Sequence, residues 1–234
     1  MPSRLVASAL CGPLAAIAMS GCNATDGHSG DPGYIPDSIQ SVGGVGTGCG
    51  NGGSNQICLA VKSVVYQDPK GNPVVSSSAM KAAIQSVNSL WSQCEISFKL
   101  EEFIPVQPEN YGLTYHLASM DEMSTIRNRF QDSSTLLTVT TGSWDRSGSI
   151  GQTSANAWTQ LPGTAPYGSI FESSVGGNSN LIAHELGHYL NLLHVSDNTA
   201  VMNPIVYYSS RTIYSDECSL SRRAAKYFWA AMAR

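Results

Sequence analysis

From Ile57 onward the apolar residues fall into short runs whose spacing alternates between that of a strand and that of a helix. ICLAVKSVVY, beginning at Ile57, reads as a first strand. SAMKAAIQSVNSLWSQC then sets Met80, Ile84, Val87, Trp91 and Cys94 three or four residues apart, which is one face of a helix. EISFKL alternates strictly, with Ile96, Phe98 and Leu100 on one side, as a half-buried strand does. SMDEMSTIRNRF opens with Ser119 and Glu122 at capping-box spacing and predicts a short helix. STLLTVTT reads as a third strand, and SANAW and GSIFES as two more, separated by the turn-forming LPGTAPYG. A helix rich in histidine follows, then an irregular stretch. SLSRRAAKYFWAAMA closes the chain as a helix, with Ser219 as its expected cap. The order is that of an α/β (α+β) sandwich with most strands ahead of the histidine helix, and no internal repeats are visible.

Residues ahead of Ile57 have a different texture. MPSRLVASALCGPLAAIAMSGC carries one positive charge, Arg4, and then an apolar stretch from Leu5 to Met19. That stretch is too short to span a membrane comfortably and reads as a secretory signal peptide. Its end, MSGC, resembles the lipobox of bacterial lipoproteins, which implies cleavage before Cys22 and lipid attachment to that cysteine. Several acyl chains on one residue give a stable membrane anchor, where a single chain is marginal. The segment from Cys22 to about residue 55 is rich in Gly, Ser, Asp and Pro and reads as a flexible tether, in which His28 is a solvated bystander. The expected organisation is therefore a signal peptide over 1–21, a tether over 22–55 and a folded domain over 56–234.

Composition narrows the function. The chain has 234 residues, 42% of them hydrophobic and 13% charged, with a net charge of −4. A sizeable core can form, and the basic face that a nucleic-acid partner usually needs is missing. A monomer is expected. Of six cysteines, Cys11 falls in the signal segment and Cys22 in the lipid site. Cys49, Cys58, Cys94 and Cys218 remain, an even set that in an exported protein reads as two disulfides. The preferred pairing is Cys49–Cys58, closing a glycine-rich loop, with Cys94–Cys218 joining distant parts of the domain. The alternative is that Cys49 caps a metal as an inhibitory thiolate.

The chemistry concentrates in HELGHYLNLLH, which holds three of the five histidines. On a helix His184 and His188 lie one turn apart on the same face, where two imidazoles can share a metal ion. Glu185 follows the first and can reach a water at that metal, the HExxH arrangement of zinc proteases. His194 cannot join them if the helix continues, because ten residues at about 1.5 Å each carry it some 15 Å along the axis. The chain must break and turn back. Asn191 is the expected turn, since asparagine is second to glycine in tolerating the left-handed conformation that ends helices.

The stretch resembles the metzincin zinc endopeptidases, whose long motif is HExxHxxGxxH; here Asn191 stands where the family has glycine. NTAVMNP supplies a second resemblance, with Met202 in the place of the methionine that forms a tight turn beneath the zinc. SANAWTQLPG followed by GSIFESS is similar to the edge strand, loop and last strand of the matrixin branch, and PIVYY to the segment that walls the substrate pocket. Pro204 stands where some metzincins have a tyrosine, and His116 stands alone, so a second, structural zinc site is not evident, nor is a structural calcium. The resemblance implies a twisted five-stranded mixed sheet, an active-site helix, a second long helix, and a small C-terminal subdomain with the Met-turn and a last helix.

It also implies one catalytic zinc held by His184, His188 and His194. Three protein ligands leave a place for water, the mark of a catalytic site. Glu185 then acts as general base, and Met202 forms an apolar floor without ligating. The edge strand around Ser154 to Trp158 can take up a peptide as an added strand. Peptide-bond hydrolysis in a protein or peptide substrate follows as the expected function. The competing expectation is a catalytically inactive zinc-binding surface lipoprotein, an adhesion or interaction module, against which the retention of Glu185 argues. Ile205, Val206 and the neighbouring tyrosines suggest a hydrophobic substrate pocket, which Arg211 would reverse if it pointed inwards.

Overall fold

The computed structural model describes residues 19–20, 49 and 55–234. Cys22 and the body of the proposed signal and tether segments lie outside the described residues. A short strand β1, Met19–Ser20, pairs antiparallel with a late strand, β7 (Ile205–Val206). The main sheet has five strands in the order β3-β2-β4-β6-β5: β2 is Ile57–Tyr66, β3 Ile96–Val106, β4 Leu136–Thr140, β5 Ala157–Thr159 and β6 Ser169–Phe171. Strands β3, β2, β4 and β6 are mutually parallel, and β5 closes one edge antiparallel to β6. Among the described residues four α-helices accompany them: α1 Ser77–Trp91, α2 Met120–Phe130, α3 Ser179–Tyr189 and α4 Ser215–Phe228. The fold is thus a mixed α/β arrangement.

The central strand β2 is buried along its whole length, as a strand covered on both faces of a parallel sheet must be. Its alternate side chains feed two cores. Leu59, Val61 and Val65 join Trp91, Leu186 and Met202 on the face covered by α1, α3 and α4. Val64 and Tyr66 join Leu117, Met123 and Ile126 on the face covered by α2. The helix caps follow ordinary chemistry. Ser76 accepts from Ala79 N at the start of α1. Ser119 and Glu122 form a reciprocal capping box at α2.

Two elements depart from expectation. β3 runs on from Leu100 to Val106, since it stays paired with β2 across a register shift between Val61 and Lys62. The extra residue there, Glu101, breaks the apolar alternation and hides the rest of the strand. Pro105 is tolerated because β3 is an edge strand. Ser219 is not a cap: α4 begins at Ser215, and Ser219 lies inside it, donating to Ser215 O at 2.8 Å. The real start is fixed by Glu217, which accepts from Tyr214 N at 2.7 Å.

Disulfides join Cys49 to Cys58 and Cys94 to Cys218, with Cα atoms 5.6 and 4.8 Å apart. The second ties the first turn of α4 to the short turn that follows α1, across 124 residues of sequence. Two disulfides fit an exported protein. Among the described residues no helix is long and apolar enough to cross a membrane.

Candidate metal centre

The site is built on α3. Asn178 caps the helix, its side chain accepting from Asn180 N and Leu181 N. Every residue from Asn180 to Tyr189 is buried, so the helix runs through the core and cannot be repositioned cheaply. Three bonds pin it to its surroundings. Trp91 Nε1 donates to Ala183 O at 3.2 Å, Tyr189 Oη to Leu137 O at 3.0 Å, and Trp229 Nε1 to Tyr189 O at 2.6 Å.

Helical period puts His184 and His188 on one face. Their Nε2 atoms are 3.1 Å apart. The helix then ends in a complete Schellman turn. Asn191 N donates to His188 O at 2.9 Å and Leu192 N to Gly187 O at 3.0 Å, while Asn191 takes a φ of 66°. The chain is thereby turned back, and His194 Nε2 arrives 3.2 Å from each of the other two. The same turn orients a ring, because Leu192 O lies 2.8 Å from His188 Nδ1. Val201 O lies 2.8 Å from His184 Nδ1.

Those carbonyls decide what the site can hold. A carbonyl only accepts, so Nδ1 of His184 and of His188 carries the proton and each Nε2 presents a lone pair. Two lone pairs 3.1 Å apart cannot bond one another; a cation between them resolves the repulsion. A tetrahedral ion with bonds of about 2.0–2.1 Å to nitrogen would set its ligands roughly 3.3 Å apart, close to the 3.1–3.2 Å seen here. His184, His188 and His194 form a three-histidine group able to hold a metal ion. All three are held neutral, as ligation requires. Burial drives His184 well below the ordinary 6.5, with His188 and His194 adding repulsion. Burial and His194 bring His188 down to about 3, and burial brings His194 to about 4. His194 is the least buried of the three.

Glu185 is 0% exposed. Its Oε2 accepts from the Thr159 hydroxyl at 2.5 Å. Thr159 ends β5, and its hydroxyl also lies 2.7 Å from that of Ser169 on β6. β5 itself is braced by the buried Glu172, which accepts from Trp144 N at 2.8 Å and from Arg146 Nη2 and Asn156 Nδ2 at 2.6 Å.

Met202, 0% exposed, sits in a turn below the helix. Val195 N donates to Met202 O at 3.0 Å, tying the strand of chain that bears His194 to that turn. A Cβ added to Gly187 would overlap Met202 Sδ and lie 3.1 Å from its Cε. Glycine in mid-helix costs about 1 kcal/mol relative to alanine; here it admits the methionine. The sequence reading missed Gly187, Thr159 and Ser169. A glycine inside a strongly apolar helix was the available signal for the first, whereas nothing local marks the two hydroxyls. His116 lies apart from the centre, its Nδ1 3.0 Å from Ser143 O. Arg211 is exposed.

No family model matches the chain, and no curated protein matches it in sequence. Among solved structures it is similar to metalloproteinase-II from Bacteroides fragilis, at 15% identity and a TM-score of 0.48, over 71% of this chain and 53% of that one. It is also similar to a chaperone–substrate complex, at 12% identity and a TM-score of 0.50, over 76% of this chain and 35% of that one. The chain thus spans about half of the first and a third of the second, and at such identity the likeness is one of fold.

Proposed function

We propose that the chain is a zinc-dependent endopeptidase of metzincin type, hydrolysing peptide bonds in protein substrates. The observation that carries this reading is the convergence of three Nε2 atoms within 3.1–3.2 Å of one another beside the buried carboxylate of Glu185. Zinc suits three neutral imidazoles, and when bound it polarises a carbonyl and lowers the pKa of water towards about 7.

The chain's own residues supply the rest. Glu185 takes the proton of the attacking water and delivers it to the leaving amine. The edge strand β5 accepts the peptide as an added strand, which aligns its carbonyl with the histidines. Met202 closes the centre from below with an apolar surface. Ile205, 39% exposed, and Tyr208, 70% exposed, offer apolar area for a substrate side chain. We further propose that residues 1–21 are a signal peptide, that Cys22 is lipidated, and that residues 22–55 tether a monomeric domain at a membrane surface. Removal of residues 1–21 would also remove β1 and leave the edge of β7 open.

Digestion of casein tests the function. Cleavage should stop when a chelator strips the protein and return when zinc is restored. Casein left intact by fully zinc-loaded protein would overturn the reading in favour of a zinc-binding surface module.

A further inference from the structure

A carboxylate with no exposed surface is costly unless it is hydrogen-bonded. Glu185 is such a group, and its Oε2 is met by a hydroxyl from the neighbouring sheet, that of Thr159. Thr159 is 6% exposed, so its side chain faces inward, and its cross-strand partner Ser169 is 0% exposed. The two hydroxyls lie 2.7 Å apart. Thr159 has one proton to give. The charged acceptor makes the stronger bond and takes it, and the Ser169 oxygen is the second acceptor within reach of the same hydroxyl. The Thr159 hydroxyl therefore stands between β6 and the carboxylate. Valine at position 159 would fill the same space and suit a strand at least as well; what threonine adds is the hydroxyl.

We propose that Thr159 is a positioning residue for Glu185: its hydroxyl holds the carboxylate in the rotamer from which it meets water beside the three histidines. The inference rests on the endopeptidase reading and deepens it. Thr159 is also the last residue of the edge strand. One hydrogen bond therefore joins the strand that would receive the peptide to the group that would move the proton.

The test compares Thr159→Val and Thr159→Ser with the parent, each zinc-loaded, on casein and on a cleaved peptide derived from it. Thr159→Val should bind one zinc as the parent does and keep KM. Its kcat should fall roughly 10–100-fold, the worth of a hydrogen bond to a charged group. Thr159→Ser, which keeps the hydroxyl and drops the methyl, should restore most of the rate. Independently of activity, the infrared difference between metal-free Thr159→Val and metal-free parent should contain a carboxylate band that disappears when both carry Glu185→Gln. Parent-like kcat in Thr159→Val, or a Thr159→Ser as slow as Thr159→Val, overturns the positioning role while leaving the endopeptidase reading intact. A zinc-loaded parent that cleaves nothing overturns both.

Discussion

His184 and His188 reach the candidate centre from a regular helix, whereas His194 and Met202 reach it from residues 190–204, which contain neither helix nor strand. In the first region position follows from period. Any sequence that keeps α3 helical places the two rings one turn apart, and the buried surroundings of the helix hold it still. In the second region position rests on individual backbone bonds: Leu192 N to Gly187 O, Val195 N to Met202 O, and Val201 N to Thr212 O. The two regions are also stitched to each other, since Leu192 O and Val201 O fix the ring orientation of His188 and His184. Replacing a chemical group on the helix, such as the Glu185 carboxylate, should therefore leave the geometry intact, while a substitution at the turn residue Asn191 should act through geometry.

The largest expected effect lies in the helix. Glu185→Gln keeps the shape and the Thr159 contact but removes the proposed base. Its kcat on casein should fall by about 10²–10⁴, the usual size of a proton-transfer contribution, with zinc content unchanged by elemental analysis. Next comes His194→Ala. Losing a ligand should weaken zinc binding by more than the roughly 10–100-fold that loss of a ligand's supporting partner costs, measured by chelator competition. The thermal midpoint of the metal-free form should stay near that of the parent, because His194 is not part of the packed helix.

Asn191 sharpens the contrast, because it acts on His194 without touching it. At a φ of 66° glycine is unstrained, whereas a β-branched residue is a genuine outlier. Asn191→Gly should bind zinc as the parent does. Asn191→Val should lose about 1–2 kcal/mol of stability or of binding, read as a drop in the thermal midpoint or a weaker zinc affinity. Equal affinity and equal midpoints for the two variants would show that the turn does not set the position of His194. The smallest effect belongs to Gly187→Ala. Overpacking against Met202 costs about 1–3 kcal/mol, partly offset by about 1 kcal/mol of helix propensity. The expected result is a modestly lower urea midpoint and retained zinc.

The same contrast decides what the sequence could reveal. Period-based features were legible: β2 begins and ends where its apolar run does, the face of α1 is the one spaced by threes and fours, and the histidines meet because HExxH sits on a helix. The capping box of α2 was legible because Ser119 and Glu122 act within four residues. Features set by partners distant in sequence were not. The length of β3 depends on its pairing with β2 past a bulge. The start of α4 is the exception, a local bond from Tyr214 N to Glu217 that Tyr214, unlike Ser219, does not advertise as a cap. Thr159 meets Glu185 across 26 residues, and Gly187 owes its identity to Met202. For β3, Thr159 and Gly187 the deciding atom belongs to another part of the chain, which no local pattern announces.

On the proposed function the two regions together hold one zinc ion that peptide hydrolysis needs. Metal-free protein should be titrated with zinc while bound metal and casein cleavage are followed in parallel, beside Glu185→Gln and His194→Ala. The parent's activity should rise in proportion to zinc bound and saturate at one equivalent per chain. Glu185→Gln should bind that same equivalent without cleaving, and His194→Ala should need far more zinc to reach it. Cleavage by metal-free protein at the parent's full rate, or one-equivalent binding by His194→Ala as tight as the parent's, would contradict that proposal.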